Sequence, residues 1–525
     1  MQSKKAAELS RNDLTSGNIV KKLLLFALPI IGGNIVQQLY NVVDTIVVGN
    51  FVGPDAIAAV SVSFPVMMMF NAIFMGLSMG ANIVISQKQG AGDSDALTAA
   101  LTTTVSITIY GGTIITVLGL FFARPMLELL KTPANIIDDS TSYLFIVFIG
   151  TVGNMLYNTC NGAARGMGDS KWAFYVLAIS SVTNIVLDLV FVVAFGWGVM
   201  GVAIATTLAH ILSGAIMFYR IASGKYLGRI DLKRIGRIDK DIMRTVLRLG
   251  IPSSIQSAAS SIGSLLVQTY SNMFGSAYIS ANSIAVKIDG FAIMPIMGLG
   301  MAITTFVGQN IGAGNEKRAD EGLKKVSQMI LVIGITLGII LSNFGYYIMR
   351  LFTDDAVVLS MAGRGLKVLA ITYCFMGLNN ACSGSMRGRG YATFPAIIAM
   401  FSTFARIPFA YFMAVKPLCA EADAAVAAGQ FLTRDLALAA GVGVENNFMG
   451  MFWSMALTTI LSAIIMVVYY YFGNWKKKAV NSAKRGPGPK GAPGKAPAPT
   501  AKAEGKQNIP SETEPAAETS EKQEE

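Results

Sequence analysis

Charge is what this sequence has least of. Charged residues fill 14% of its 525 positions, where a soluble domain carries roughly 25%, and the mean hydropathy is +0.53. One soluble fold is excluded. Cysteine is nearly as sparse. Cys160, Cys374 and Cys382 fall inside apolar runs and only Cys419 lies near an outer surface, so no spacing fits a disulfide framework or a metal site. There is a single histidine, His210, whose place in an apolar run reads as helix packing. No catalytic dyad or metal motif emerges, which argues against an enzyme and against a resident cofactor.

What is abundant is the long apolar run. Twelve occur, near 23–49, 56–85, 99–122, 141–163, 172–195, 199–220, 246–272, 277–308, 326–347, 363–385, 394–416 and 448–472. Runs of this length span a bilayer, and without water to satisfy the backbone each must be helical despite Pro65, Pro295 and Pro408. The expected fold is therefore all-α, a polytopic membrane protein with twelve transmembrane helices. The first run is too long for a signal-peptide core and follows about twenty polar residues, so it is expected to be an uncleaved anchor.

A net charge of +11 could suggest nucleic acid, but its distribution excludes that partner. With the N-terminus inside, the inner loops and flanks hold 26 Lys and Arg and the outer loops seven. This asymmetry is the positive-inside rule and predicts a multi-pass protein of the cytoplasmic membrane with both termini in the cytoplasm.

The chain repeats itself. Gly90-Ala91-Gly92 recurs as Gly312-Ala313-Gly314, Val52-Gly53 as Phe274-Gly275, and the segment from Leu156 to Gly168 as Leu378 to Gly390, all displaced by 222. Each copy holds six spans, an even number, which predicts two parallel pseudo-symmetric six-helix bundles, a transporter architecture. The N-lobe is expected over 1–220, a basic cytoplasmic linker over 221–245 and the C-lobe over 246–475. Gly201 pairs with Gly450 only at a displacement of 249, so the second copy carries an extracytoplasmic insertion near 417–447. The Pro-, Ala-, Lys- and Glu-rich tail 476–525 has the composition of a disordered segment.

Polar residues inside such helices need a reason. Asn34, Gln37, Asn41 and Asp44 share one face of the first span, Ser180, Asn184 and Asp188 one face of the fifth, and Thr206, His210 and Ser213 lie on the sixth. At about 1.5 Å per residue, Asp44, Asp188 and Thr206 sit at matching depth. Two carboxylates in a dry site share a proton readily, and the same oxygens suit a hard cation such as sodium. A cation-coupling site at Asp44, Asn184, Asp188 and Thr206 is expected, with H+ or Na+ as the ion. The seventh span carries only hydroxyls and Gln268. Asp289 is the sole acid well inside a second-half span, with Lys287 or Arg406 as possible neutralising partners. Asn34, Gln37, Asn41, Met297 and Asp289 are candidate lining of a substrate cavity, Met297 because thioethers repack around varied ligands.

These residues resemble the multidrug and toxic compound extrusion (MATE) family. The likeness rests on Leu28-Pro29, Asp44-Thr45-Ile46-Val47-Val48-Gly49, Gln89-Gly90-Ala91-Gly92, Gly162-Ala163-Ala164-Arg165-Gly166, Asn184 to Asp188 and Gly201 to Thr206, and in the second half on Gly250-Ile251-Pro252, Gly312-Ala313-Gly314 and Arg387-Gly388. It implies a monomeric, two-lobed antiporter in the lipid bilayer, exporting small cationic or amphipathic compounds, and in it the N-lobe cation site falls on Asp44, Asn184, Asp188 and Thr206. The NorM-like branch adds an acid in helix 7 and another near helix 10. Here the first position falls near Ser260 and no acid follows Arg387, which favours the DinF-like branch. A flippase for lipid-linked sugars is the alternative, although such proteins carry extra helices and a strongly cationic cavity.

Overall fold

The computed structural model describes residues 13–476 apart from Gly53, with the side chains of 41, 44–46, 48, 49 and 54–57 left out of the description. The tail expectation and the side chains of Asn41 and Asp44 therefore lie outside the described residues. Every regular element among the described residues is helical, as a chain without water around its backbone requires. The first half runs α1 (Ile19–Phe51), α2 (Pro54–Gly90), α3 (Ser94–Leu129), α4 (Ile137–Ile149), α5 (Thr151–Gly166), α6 (Ser170–Asp188) and α7 (Gly198–Ala222). The second runs α8 (Lys240–Asn272), α9 (Gly275–Gly312), α10 (Glu316–Met349), α11 (Ala356–Gly388), α12 (Thr393–Ala410), α13 (Lys416–Ala427), α14 (Arg434–Ala439), α15 (Val444–Asn447) and α16 (Met449–Phe472).

Among the described residues, ten stretches are long and apolar enough to cross a membrane unaided. An eleventh is the pair α4 and α5, bent by 49° at Gly150, where a Cβ would stand 2.7 Å from Thr207 Cγ2 of α7. The twelfth expected span is α8, whose serine stripe lowers its hydropathy although it runs for 33 residues. Asp93, Asp169, Asp239 and Asp355 cap α3, α6, α8 and α11 by accepting backbone N–H groups. The segment between α7 and α8 lies along α3, where Thr98, Thr102, Thr103 and Ser106 accept the backbone N–H groups of Arg229, Asp231, Asp239 and Gly236. The insertion is helical, tied by Arg434 donating to both carboxylate oxygens of Asp423 at 2.6 and 2.5 Å.

Candidate functional site

Three of the four expected coupling residues meet. Asp188 ends α6 at 1% exposure, Asn184 stands one turn before it at 2%, and Thr206 approaches from α7 at 8%. Ser180 Oγ donates to the Ala209 carbonyl at 3.0 Å and fastens the two helices. Assigned from its surroundings, the Asn184 amide donates to Asp188 Oδ2 at 2.8 Å and accepts from the Thr206 backbone N–H at 3.2 Å. Immediately after Asp188 the backbone widens into a π-helical turn, Leu189–Ala194, a departure that α-helices make mostly at functional positions. It is closed by Phe195 N–H donating to the Val190 carbonyl at 3.0 Å.

The second half repeats the backbone but not the chemistry. A π-helical turn stands at Tyr411–Val415, the same 222 residues on, yet Ala410 takes the place of Asp188 and Arg406 that of Asn184. Asp289 lies inside this half at 6% exposure, with the Tyr373 hydroxyl beside its carboxylate and Arg406 within electrostatic reach. Lys287 is turned away, over the Phe352 ring at 6.0 Å, so of the two expected partners it is Arg406 that faces Asp289. Met297 is 49% exposed, Asn34 is partly exposed and Gln37 is exposed.

At the end carrying the basic loops, the two halves are sewn together by a reciprocal pair. Gln87 of α2 donates to the Gly388 carbonyl at 2.9 Å, and Gln309 of α9 donates to the Gly166 carbonyl at 2.9 Å. Both partners in the second bond are displaced by 222 from those in the first. Gln309 Oε1 also accepts from the Leu14 backbone at 3.1 Å, drawing the N-terminal segment into the seal. Close approach here requires glycine: a Cβ on Gly90 would lie 1.9 Å from the Gln309 carbonyl oxygen, and one on Gly312 would lie 2.0 Å from that of Gln87. Gly312→Ala is therefore expected to lower stability by about 1–3 kcal/mol through overpacking. Gly290→Ala, in the same helix with nothing within 4 Å, should be neutral or stabilising by about 0.5–1 kcal/mol. Thermal unfolding in detergent compares them, and equal melting points would refute the seal.

The pattern of the MatE family matches residues 29–190 and, a second time, 252–412. The chain belongs to the MatE family. Members of this family are membrane transporters, not enzymes, and the double match follows the internal repeat. Among its relatives is the probable multidrug resistance protein YoeA of Bacillus subtilis (strain 168), 30% identical over 75% of this chain and 87% of that one. The probable multidrug resistance protein NorM of Thermotoga maritima is 25% identical over 89% of this chain and 95% of its own length. The fold also matches a MATE transporter crystallised in complex with MaL6, with a TM-score of 0.77 at 22% identity over 90% of this chain and 99% of that one. A MOP superfamily transporter from Pyrococcus furiosus Vc1 (DSM3638) matches with a TM-score of 0.75 at 22% identity, over 90% of this chain and 98% of the other.

Sequence reasoning passed over one feature of this MatE chain. Asn154, Asn158, Asn161 and Arg165 stand at spacings of four, three and four along α5, all partly exposed, one polar face on a membrane helix. The signal was legible as helical periodicity, but Asn158, Asn161 and Arg165 were read as part of the repeat, and Arg165 also as an inner-loop charge and in the family resemblance, not as one polar face.

Proposed function

We propose that this MatE protein is a secondary-active exporter of amphipathic small molecules, working by alternating access between two six-helix lobes over 1–220 and 246–475. Coupling resides in the first lobe, at Asp188, Asn184 and Thr206 with Asp44 from the facing helix. The observation that carries this is the asymmetry of the repeat: a carboxylate at 1% exposure stands just before the π-helical turn of one half, while alanine and arginine occupy the matching turn of the other. A buried carboxylate can exchange a proton or a sodium ion, and exchange is what coupling requires.

The seal at the basic end, which the positive-inside rule assigns to the cytoplasm, supports an inward-closed state. Toward the opposite end Gln37, Ser264 and Gln268 are exposed, a pattern that suits a water-filled cleft better than lipid. The protein acts in the cytoplasmic membrane, as a monomer.

The test is reconstitution into liposomes with a sodium or a proton gradient imposed separately. Gradient-driven uptake of a fluorescent amphipath with one of the two ions, abolished when that gradient is collapsed, is the expected result. Flux indifferent to both gradients would overturn the coupling, and no flux at all would overturn the transport reading.

A further inference from the structure

Two arginines beside the seal have no acid to answer them. Arg165, near the end of α5, reaches across to α9, where its Nη1 finds only the Met301 sulfur at 3.8 Å, a weak acceptor. Its Nε is buried with no partner. Arg387, its equivalent 222 residues on, donates to Gln256 Oε1 at 3.1 Å, and its Nε is likewise buried and unpartnered. Neither takes part in any ion pair among the described residues.

Arginines nearby show what an answered guanidinium looks like here. Arg220 stands 3.8 Å from the Asp169 carboxylate, and Arg389 is bonded to Asp320. Arg165 and Arg387 have no such carboxylate, and each is mostly but not wholly withdrawn from solvent. Each stands one residue before a carbonyl that the opposite half's glutamine grips, Gly166 for one and Gly388 for the other. The two therefore flank the seal from both sides of the pseudo-two-fold axis.

Amides lead up to them. On α5, Asn158 Nδ2 donates to Asn154 Oδ1 at 2.7 Å and Asn161 Nδ2 to Tyr157 Oη at 3.1 Å, while Asn161 Oδ1 is buried without a partner. On α11, Asn380, Ser383 and Arg387 occupy the places of Asn158, Asn161 and Arg165. The buried acids Asp188 and Asp289, at 1% and 6% exposure, are turned into helix contacts within their own halves. A desolvated guanidinium without a counter-charge is costly, and an arriving oxyanion relieves that cost with two parallel hydrogen bonds.

We propose that Arg165 and Arg387 form an anion-binding site against the seal, and that the cargo is an amphipathic organic compound carrying a carboxylate, sulfonate or phosphate, not a cation as the family resemblance implied. This rests on the export reading and names its substrate class.

The experiment uses the full chain, with binding read as a shift in melting temperature in detergent and flux read in proteoliposomes. The probes are three fluorescent anions (carboxyfluorescein, dansyl-glycine and pyranine) and two cations (ethidium and acriflavine). The wild type is expected to bind and move at least one anion. Arg165→Gln and Arg387→Gln should each raise its KM by about ten- to a hundredfold, the loss expected for a charge-assisted bond, and leave cation binding unchanged. Arg→Lys at either position keeps the charge but not the fork, and should retain part of the affinity. Should a glutamine variant fail to fold, the lysine variants decide, since weaker anion binding is required of them too. Cations bound and moved while no anion binds would overturn the proposal and leave the exporter standing. Equal loss for both dye classes, together with a lower melting temperature, would also overturn it by showing a structural role. Anion binding without gradient-driven flux supports the site and counts against the export reading instead.

Discussion

Asp188→Asn is expected to abolish gradient-driven export while the protein still folds and inserts. Asparagine keeps the volume and can still bond the Asn184 amide, which meets Asp188 Oδ2 at 2.8 Å, so packing between α6 and α7 is preserved. What disappears is a group able to hold a proton or a cation at 1% exposure. Coupling free energies of this kind correspond to about 5–150-fold in affinity, so accumulation against a gradient should fall by that order. Downhill exchange of the same dye should persist, because the cleft and the seal are untouched. Dye accumulation in cells at matched expression, alongside downhill flux in proteoliposomes, separates the two. Accumulation at the wild-type level would sink the coupling role. Loss of both fluxes together with a lower melting temperature would make Asp188 a structural residue.

Helix-period spacing made Asn184 and Asp188 legible, since residues four apart share a face, and depth counting brought Thr206 to them from another helix. The repeat was legible because three segments kept one displacement of 222, and the structure extends that register to the Gln87 and Gln309 bonds. The need for glycine at the bend was not legible, because it comes from the close approach of Thr207 to Gly150, 57 residues away by number. Arg165 and Arg387 were read as inner-loop charges and as part of the repeat and the family resemblance, which explained their presence without asking what answers them. Whether an arginine has a carboxylate partner is a tertiary fact: Arg389, two residues after Arg387, meets Asp320 of α10, and nothing local distinguishes it. The partner of Asp289 was open for the same reason. Lys287 lies two residues away in sequence but points elsewhere in the helix, whereas Arg406 comes from α12.

That last contact leads to an asymmetric outcome for the two halves. Asp289 and Arg406 are opposite charges within electrostatic reach of each other in a largely buried part of the second half. Removing one of the two charges leaves the other less compensated, a loss that stays below the about 3–5 kcal/mol of a bonded buried ion pair. Asp289→Asn should therefore lower the melting temperature while leaving the sodium or proton dependence of flux intact. The double variant Asp289→Asn with Arg406→Met should recover most of that stability, because removing both charges is close to neutral where removing one is not. The residual cost would reflect Tyr373 and Tyr278, which lose the charged neighbours they face. Asp44→Asn, by contrast, should remove the ion dependence as Asp188→Asn does. Flux measured under separate sodium and proton gradients for the four variants, with melting curves for each, distinguishes a structural pair from a coupling site. If Asp289→Asn erased the ion dependence and Asp44→Asn preserved it, coupling would belong to the second half, and the Ala410 and Arg406 replacements would have to be read as the design of a different ion site.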